Sequence, residues 1–555
     1  MLHRFLTYVR RPLLLLIMIL FLLTGPLPAQ YTTGSQPPRL IVGIVVDGLP
    51  QNWMNRFHAY FSTGGFQKLV NRGVYYIEAE IPFMLSGKGP AQASISTGAL
   101  PFTHGIVAEK WYNRLRREEV SPTYDFTVHS IGSEGQKGKQ SAARLLVPTV
   151  GDILTLESES ASKVISIGFD PESSILLGGH HINASYWFDT RTGKWITSSA
   201  YKEQLPGWVK DFNSRKSGDL YLSRDWNLLL ADNQYHICLP DDNPFETGFF
   251  GHYHTFPYRM NRLRRESMSR DYTVIGNSPY GNTLTVDFAL SAVMGEKLGK
   301  DDDTDLLLID FSSNYAIARR FGSGSREVMD ALLRLDMDLQ HLLYILEEQT
   351  GQNRLLVFLT STHGMARDPD QARSLNLPGG YFRYRNAMAL LNSYLSALYG
   401  DGVWVDNYIG QQIYLNETQI DQTKISYDAI IRHAARFLTH FEGVSFAIPM
   451  QQMSNGTVPE PWSSMAHHTF HPDRSGDIIL ILKPGWIDES EYDTDCLSPY
   501  PYDTKIPLIW YGMNLQPQRI NRPVSLIDIA PTLSAILHIP KPDGASGAIL
   551  PEIVN

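Results

Sequence analysis

The sequence contains little cysteine, little charge and no excess of basic residues. Only two of its 555 residues are cysteine, Cys238 and Cys496, which excludes a disulfide-stapled scaffold and allows at most one bridge. Charged residues make up 19% of the chain, and the formal net charge of −9 disfavours a nucleic-acid binder. A hydrophobic content of 43% and an aromatic content of 11% exclude a disordered chain and predict a large folded core.

The N-terminus carries the features of an export signal. Three arginines precede the apolar run 13–23, and a small-x-small sequence follows at 27–29. This order predicts a secretory signal peptide over residues 1–29 and an exported protein that is periplasmic or envelope-associated in a bacterium. The apolar run is short for a bilayer span. An uncleaved anchor remains the alternative, and membrane contact is expected only in that case.

Short apolar runs rich in β-branched residues recur along the rest of the chain. They cover residues 40–46, 164–169, 306–311, 355–359, 478–482 and 507–511. Continuous runs of this kind are typical of strands buried on both faces of a parallel sheet. Apolar residues spaced by three and four over 328–346 predict a helix, and another is predicted over 525–537.

This alternation predicts an α/β fold with a central, mostly parallel sheet flanked by helices. The body of the protein is expected to be one domain over residues 30–555. The segment from about 110 to 290 has few long periodic stretches of this kind and is rich in tyrosine, tryptophan, glycine and arginine. We predict that it forms a cap inserted over the carboxyl edge of the sheet, where ligands bind in open α/β folds.

Polar residues stand directly after three of the predicted strands. Asp47 follows the run 40–46, residues 312–319 follow the run 306–311, and His363 follows the run 355–359. An aspartate and a histidine at two strand ends could bind a metal or act as acid and base. In the alternative, Asp47 caps a turn and His363 is a buried imidazole with satisfied hydrogen bonds.

A series of short motifs occurs in an order that resembles a known family. They are Val45-Val46-Asp47-Gly48, Ala93-Ser94-Ile95-Ser96-Thr97-Gly98, His104-Gly105-Ile106, Trp111-Tyr112, residues 185–189, Arg334-Leu335-Asp336, Phe358-Leu359-Thr360, His363-Gly364, residues 474–478, Ser498-Pro499-Tyr500 and Asp528-Ile529-Ala530-Pro531-Thr532. The set resembles the type I phosphodiesterase/nucleotide pyrophosphatase branch of the alkaline phosphatase superfamily, above all its exported single-chain bacterial alkaline phosphatases. The resemblance covers residues 40–545 and implies the alkaline-phosphatase fold.

The resemblance also implies a chemistry. Members of the family hold two Zn²⁺ ions, one on the aspartate of the first strand, a threonine nucleophile and an Asp-His pair. The other ion is bound by Asp-x-x-x-His and a later histidine. The threonine oxygen attacks phosphorus, the metals stabilise charge on the attacking and leaving oxygens, and asparagine, lysine and arginine hold the phosphoryl oxygens.

Most of these positions carry different residues in this chain. Asp47 and His363 match the family's metal ligands, whereas the nucleophile position falls on Lys88. The position of the phosphate-binding asparagine falls on Glu109. The positions of the lysine and the arginine fall on Asp170 and Glu172, respectively.

The remaining ligand positions are replaced as well. The Asp-x-x-x-His pair falls on Tyr315 and Arg319, the aspartate of the Asp-His pair on Thr362, and the last histidine on Cys496. A catalytic zinc needs about three protein ligands, so we predict no cofactor and no working catalytic or metal site. We expect the Lys88 ammonium to pair with Asp47 in the vacated space, and Arg319 to fill the other metal position.

These replacements predict a pseudoenzyme that binds or scaffolds an unknown envelope protein or ligand. The alternative is a weakly active, metal-dependent phosphomonoesterase or phosphodiesterase with Ser86 as nucleophile and Asp47 and His363 as metal ligands. A third hypothesis is non-hydrolytic binding of a cationic or sugar ligand by the acidic residues that replace the phosphate-binding groups. The histidine-rich stretch 467–473 is either a metal site or a surface loop.

Overall fold

The structure is a computed structural model that describes residues 37–85, 87–450, 458–489 and 498–554. Contacts divide the chain into residues 1–37 and 38–555, and the second unit is described below. The predicted signal segment 1–29, Ser86 and Cys496 lie outside the described residues. The same holds for any pairing between Cys496 and Cys238.

An 11-stranded sheet forms the centre of the fold. In spatial order its strands are Gln518–Ile520, Val74–Glu80, Lys505–Gly512, Leu355–Thr360, Leu40–Val46, Asp305–Phe311, Val164–Gly168, Ala184–Asp189, Lys194–Ser198 and Ser130–Ile131, and Val524–Ser525 pairs with Val74–Glu80 beside this order. The five strands from Leu355–Thr360 to Ala184–Asp189 are parallel. The predicted α/β class with a mostly parallel sheet is therefore confirmed.

The first strand explains why its sequence is apolar without interruption. All seven residues of Leu40–Val46 are buried, because parallel strands lie on both sides and separate cores cover both faces. Leu40 pairs with Asp305 and Val46 pairs with Phe311, so the two strands end at the same level. The residues that follow these strands are thereby brought to one edge of the sheet.

Helices cover both faces of the central sheet. Counting also the helices that pack on the second sheet, those of eight or more residues in the described ranges are Lys88–Thr97, Val150–Glu157, Pro171–Gly178, Gly207–Ser214, Tyr280–Glu296, Ser313–Phe321, Arg326–Thr350, Tyr384–Tyr399, Tyr427–Leu438, Trp462–Thr469 and Ile529–Leu537. Shorter ones are Gln51–Arg56, Phe66–Arg72, Pro101–His104, Ser217–Leu222, Met260–Glu266, Thr273–Gly276, Pro369–Ser374, Glu417–Asp421, Pro501–Thr504 and Pro551–Val554. Within the described ranges, none of the helices has both the length and the apolar composition needed to cross a bilayer.

A second, smaller layer is built from residues 384–482. Its four strands, in spatial order, are Val405–Ile409, Gln412–Leu415, Ile478–Leu482 and Val444–Pro449. Helices Tyr384–Tyr399 and Tyr427–Leu438 pack on them around a core of their own. The run 478–482, predicted as a strand beside those of the main sheet, belongs instead to this second sheet.

The segment predicted as a cap contributes directly to the central sheet. Val164–Gly168, Ala184–Asp189 and Lys194–Ser198 are strands of that sheet, although they lie inside the segment 110–290. Helix Trp462–Thr469, which packs beside the second sheet, contacts the loop before Lys88. There the Met84 amide donates to the Thr469 hydroxyl at 2.9 Å, and a nitrogen of His468 lies 2.6 Å from the carbonyl of Pro82.

Candidate functional site

Three elements bring Asp47, Lys88 and Asp170 together at the carboxyl edge of the central sheet. Asp47 follows the first strand directly, and Lys88 is the first residue of helix Lys88–Thr97. Asp170 is the N-cap of helix Pro171–Gly178, where its carboxylate accepts a hydrogen bond from the Ser173 amide at 3.0 Å. Capping fixes the position of this carboxylate before it meets any partner on another element.

The Lys88 ammonium lies between two carboxylates. Its nitrogen is 3.6 Å from Oδ2 of Asp47, and it donates a hydrogen bond to the carboxylate of Asp170. The predicted ion pair between Lys88 and Asp47 is thus present, with Asp170 as an additional partner. Burial alone would lower the pKa of Lys88, but Asp170 and Asp47 together raise it well above its usual value, so Lys88 is a fixed cation.

Asp47 is fully buried and is held by two different groups. Burial raises its pKa, while the nearby Lys88 cation and the hydroxyl of Thr362, which donates to Oδ1 at 2.8 Å, act in the opposite direction. Thr362 is the position at which the resemblance implies an aspartate that binds metal. In this chain its hydroxyl satisfies one oxygen of Asp47.

Asp310 is a member of the site that the sequence analysis missed. It lies one residue before the end of strand Asp305–Phe311, is fully buried, and accepts a hydrogen bond from the Gln92 amide at 3.0 Å. Burial and the neighbouring Asp47 raise its pKa well above the usual value. The available signal was an acidic residue inside an otherwise apolar run, which is costly unless a partner compensates it.

Glu109 and Glu172 form the acidic side of the site. The Gly89 amide donates to Oε1 of Glu109 at 3.0 Å, and a Cβ atom on Gly89 would lie 2.3 Å from Oε1 of Glu172. Burial, followed by the charge of Glu109, raises the pKa of Glu172 well above its usual value. By contrast, burial alone would raise the pKa of Asp170, but Lys88 and the hydrogen bonds from Ser173 together lower it.

His363, Tyr315 and Arg319 form a stacked column beside Asp47. The His363 and Tyr315 rings meet edge to face with centroids 4.5 Å apart, and the Arg319 guanidinium lies 5.3 Å from the Tyr315 centroid. Nδ1 of His363 donates to the carbonyl of Gly364 at 2.6 Å, which places a proton on that nitrogen. Gly48 has φ +65°, and a Cβ there would lie 2.8 Å from Tyr315, so the turn after Asp47 requires glycine.

The histidine-rich stretch 467–473 has structural contacts of its own. A nitrogen of His468 bonds to the carbonyl of Pro82, and Nδ1 of His471 accepts from the Asp473 amide at 3.2 Å. In the described part of the chain, no three histidine, cysteine, aspartate or glutamate side chains converge in a metal-holding group.

Comparison with known proteins assigns the family. Residues 41–505 match the type I phosphodiesterase / nucleotide pyrophosphatase family. This chain belongs to that family. It is 32% identical over 531 residues to the alkaline phosphatase PhoV of Synechococcus elongatus, with 95% of each chain covered. The resemblance inferred from the motifs is confirmed.

Two solved structures of alkaline phosphatase PafA have the same architecture. The wild-type structure superposes with a TM-score of 0.90 at 31% identity, covering 94% of this chain and 99% of the other. The second, with a TM-score of 0.89 and the same identity and coverage, is a variant in which a threonine, an asparagine, a lysine and an arginine are substituted.

These relatives overturn one prediction. We expected no cofactor, but the chain is similar over nearly its whole length to the alkaline phosphatases PhoV and PafA, and the resemblance to this family implies zinc as the cofactor. The prediction that the protein has no cofactor rested only on the replaced ligand positions. Such replacements do not change the cofactor that the resemblance to the family implies.

At the predicted positions that the structure describes, the side chains do not reproduce the pair of zinc sites that the resemblance implies. Asp47 and His363 remain, but an ammonium lies 3.6 Å from the free oxygen of Asp47, where a zinc ligand would face its ion. Tyr315 and Arg319 stack on one another instead of presenting a carboxylate and an imidazole. Among the described residues, this donor set does not fit two zinc ions bound as the resemblance implies.

Proposed function

We propose that this protein has the alkaline-phosphatase fold but does not transfer phosphoryl groups, and that it acts as an exported binding or scaffolding protein of the cell envelope. The observation that carries the proposal is the Lys88 ammonium held between Asp47 and Asp170 at the predicted nucleophile position. An ammonium at that position cannot act as the family's oxygen nucleophile, and its charge is already balanced by two carboxylates.

The substituted PafA variant supports the choice of positions. Its threonine and asparagine are 21 positions apart, as are Lys88 and Glu109 here. Its lysine and arginine are two positions apart, as are Asp170 and Glu172. The separations agree with an alignment in which one hydroxyl, one amide and two cations are replaced by one cation and three carboxyl groups.

The electrostatics of the site oppose a phosphate ester. Phosphoryl transfer depends mainly on positioning and on stabilisation of negative charge, and at an effective dielectric of ~20 two unit charges 4 Å apart interact by about 4 kcal/mol. The structure reduces the repulsion expected from three carboxylates, because Lys88 neutralises Asp170 and the raised pKa of Glu172 favours its protonated form. It does not replace the two cations that the family would use to hold phosphate.

Export and envelope association rest on the sequence of the N-terminus. The basic region, the apolar run 13–23 and the small-x-small site are the features of a secretory signal. The partner that we propose is an envelope protein or an envelope ligand. Fractionation of cells that express the full chain tests this location, and recovery in the cytoplasm would contradict it.

The absence of phosphoryl transfer is tested by turnover measurements. We expect the purified chain to hydrolyse p-nitrophenyl phosphate and bis-p-nitrophenyl phosphate no faster than its Asp47→Asn variant, both without added metal and with saturating zinc. Zinc content is measured on the same samples by elemental analysis. Because both proteins are purified identically, a contaminating phosphatase contributes equally to the two rates.

The outcome that contradicts the proposal is specific. Turnover that increases with zinc and falls at least about tenfold, or about 1.4 kcal/mol in barrier, in Asp47→Asn would show an active enzyme. Bound zinc without such turnover would assign the family's cofactor to this chain and leave the proposal standing.

A further inference from the structure

We propose that this protein has a second binding site, at the outer edge of the central sheet, for a small anion that carries several negative charges. A cavity of about 890 Å³ opens there. Its charged and aromatic lining side chains are Lys194, Glu203, Lys210, Lys216, Asp219 and Tyr272. We call this cavity the edge groove.

The edge groove is separate from the site around Lys88. Its lining includes residues of strands Lys194–Ser198 and Ser130–Ile131, which lie two and three strands away, respectively, from Val164–Gly168, the strand that leads to Asp170. Adjacent strands are about 4.8 Å apart. None of the side chains assigned to the Lys88 site lines the groove.

Three lysines from different elements line the groove. Lys194 begins the strand Lys194–Ser198, Lys210 lies on helix Gly207–Ser214, and Lys216 precedes helix Ser217–Leu222. No carboxylate of the described residues lies within 4 Å of any of the three nitrogens. In a chain with a net charge of −9, a concave surface with three uncompensated cations favours anions.

The acidic residues of the groove do not cancel this charge. Asp219 accepts hydrogen bonds at 2.8 Å from both the guanidinium of Arg264 and the hydroxyl of Tyr272. Its charge is therefore compensated by an arginine outside the lining. Glu203 is the remaining carboxylate of the lining, against three lysines.

Tyr272 gives the groove a defined wall. A Cβ added to Gly193 would lie 2.6 Å from its ring, and one added to Gly218 would lie 2.9 Å from it, so both glycines are in close contact with the ring. The Arg264 guanidinium lies 4.1 Å from the centroid of the Tyr272 ring. The ring is thus held in place by two backbone segments and a cation.

The size and charge of the groove define the class of ligand. A volume of about 890 Å³ is in the range of sites for organic ligands and is far larger than one phosphate ion requires. Lysines bind phosphate and carboxylate as point charges, without the planar geometry that arginine imposes. The groove therefore suits a small anion with several phosphate or carboxylate groups, and Tyr272 and Leu205 supply surface for an organic frame.

The experiment measures binding of two probes by isothermal titration calorimetry. Sodium tripolyphosphate represents the phosphate source and citrate the carboxylate source, both at pH 7 and low ionic strength. We expect the wild-type protein to bind at least one of them, and the variant Lys194→Gln/Lys210→Gln/Lys216→Gln to bind it at least about tenfold more weakly. The phosphate or carboxylate identity of the natural ligand follows from which probe binds.

The matched control removes three exposed lysines elsewhere. Lys110→Gln/Lys424→Gln/Lys483→Gln changes the net charge equally and is expected to retain wild-type affinity. The variant Lys194→Arg/Lys210→Arg/Lys216→Arg keeps the charge and is expected to retain binding. It therefore shows whether the glutamine variant loses affinity through the lost charge or through misfolding. Equal affinity in the two glutamine variants, or no heat from either probe at millimolar concentration with the wild type, would overturn the proposal. Neither result depends on whether the protein hydrolyses phosphate esters.

Discussion

Replacing Lys88 with methionine is expected to lower the free energy of unfolding by about 3 kcal/mol at pH 8. The substitution removes the cation that compensates Asp47, which is fully buried, and Asp170, which caps a helix. Without the cation, each carboxylate must either remain charged in an environment of low dielectric constant or take up a proton. Both alternatives cost free energy. Urea unfolding of the two proteins, followed by fluorescence, measures the difference.

The control for this prediction is Lys68→Met. The Lys68 ammonium is buried to a similar degree but contacts one carboxylate, that of Glu347, at 2.6 Å. Its loss is expected to cost less than the loss of Lys88, because only one carboxylate is left without its cation. The double variant Lys88→Met/Asp47→Asn should recover part of the stability. A Lys88→Met protein at least as stable as the wild type would show that the ion pair is not stabilising.

The pH dependence of this effect has a definite sign. In the wild type Lys88 lowers the pKa of Asp170, so the contribution of Asp170 to stability is present above its unfolded pKa and is lost as the pH falls. In Lys88→Met this contribution is smaller, because only the hydrogen bonds from Ser173 still lower the pKa of Asp170. The carboxyls of Asp47 and Asp170 then both take up protons more readily. The difference between the two proteins should therefore shrink as the pH is lowered from 8 towards 4.

Raising the pH from 7 to 9.5 is expected to cost the wild type about 2–4 kcal/mol more than the variant Glu246→Gln/Glu327→Gln. Glu327 is fully buried and accepts a hydrogen bond from the Tyr258 hydroxyl at 2.6 Å, while Glu246 is 8% exposed and accepts from Asn243. Burial, and for Glu246 the charge of Glu327, raise the pKa of Glu246 to about 9 and that of Glu327 to about 8.

Both pKa values lie above the ordinary value of 4.5, so both carboxyls bind protons more tightly in the folded protein. The stability that this tighter proton binding contributes is fully present below pH 4.5 and is lost as the pH rises through 8 and 9. Glutamine keeps the shape and the hydrogen-bond acceptor without titrating. Thermal unfolding across this pH range measures the difference, and Glu134→Gln/Glu348→Gln, two exposed positions, is the control. Parallel pH profiles for wild type and Glu246→Gln/Glu327→Gln would contradict the prediction.

Local sequence patterns predicted the elements of the fold well where burial is uniform. Leu40–Val46 was predicted with its observed bounds, because a strand enclosed on both faces must be apolar at every position. The run 478–482 has the same composition and is a strand, yet it belongs to the second sheet. Composition reports that a strand is buried, but strand pairing depends on contacts between distant parts of the chain.

The site shows the same division. Family motifs identified Asp47, Lys88 and Asp170 as positions of interest, and the structure brings all three together. Asp310 was hidden in an apolar run, since the partner that makes its burial tolerable, Gln92, lies on a helix more than 200 residues earlier.

The order of residues alone determined that this chain builds an α/β sheet of the alkaline-phosphatase type, since apolar periodicity and motif order survive without coordinates. Only the folded chain decided how the charges are used, because electrostatic energy depends on distance and burial. It assigned the Lys88 cation to Asp47 and Asp170, and it left the lysines of the edge groove uncompensated.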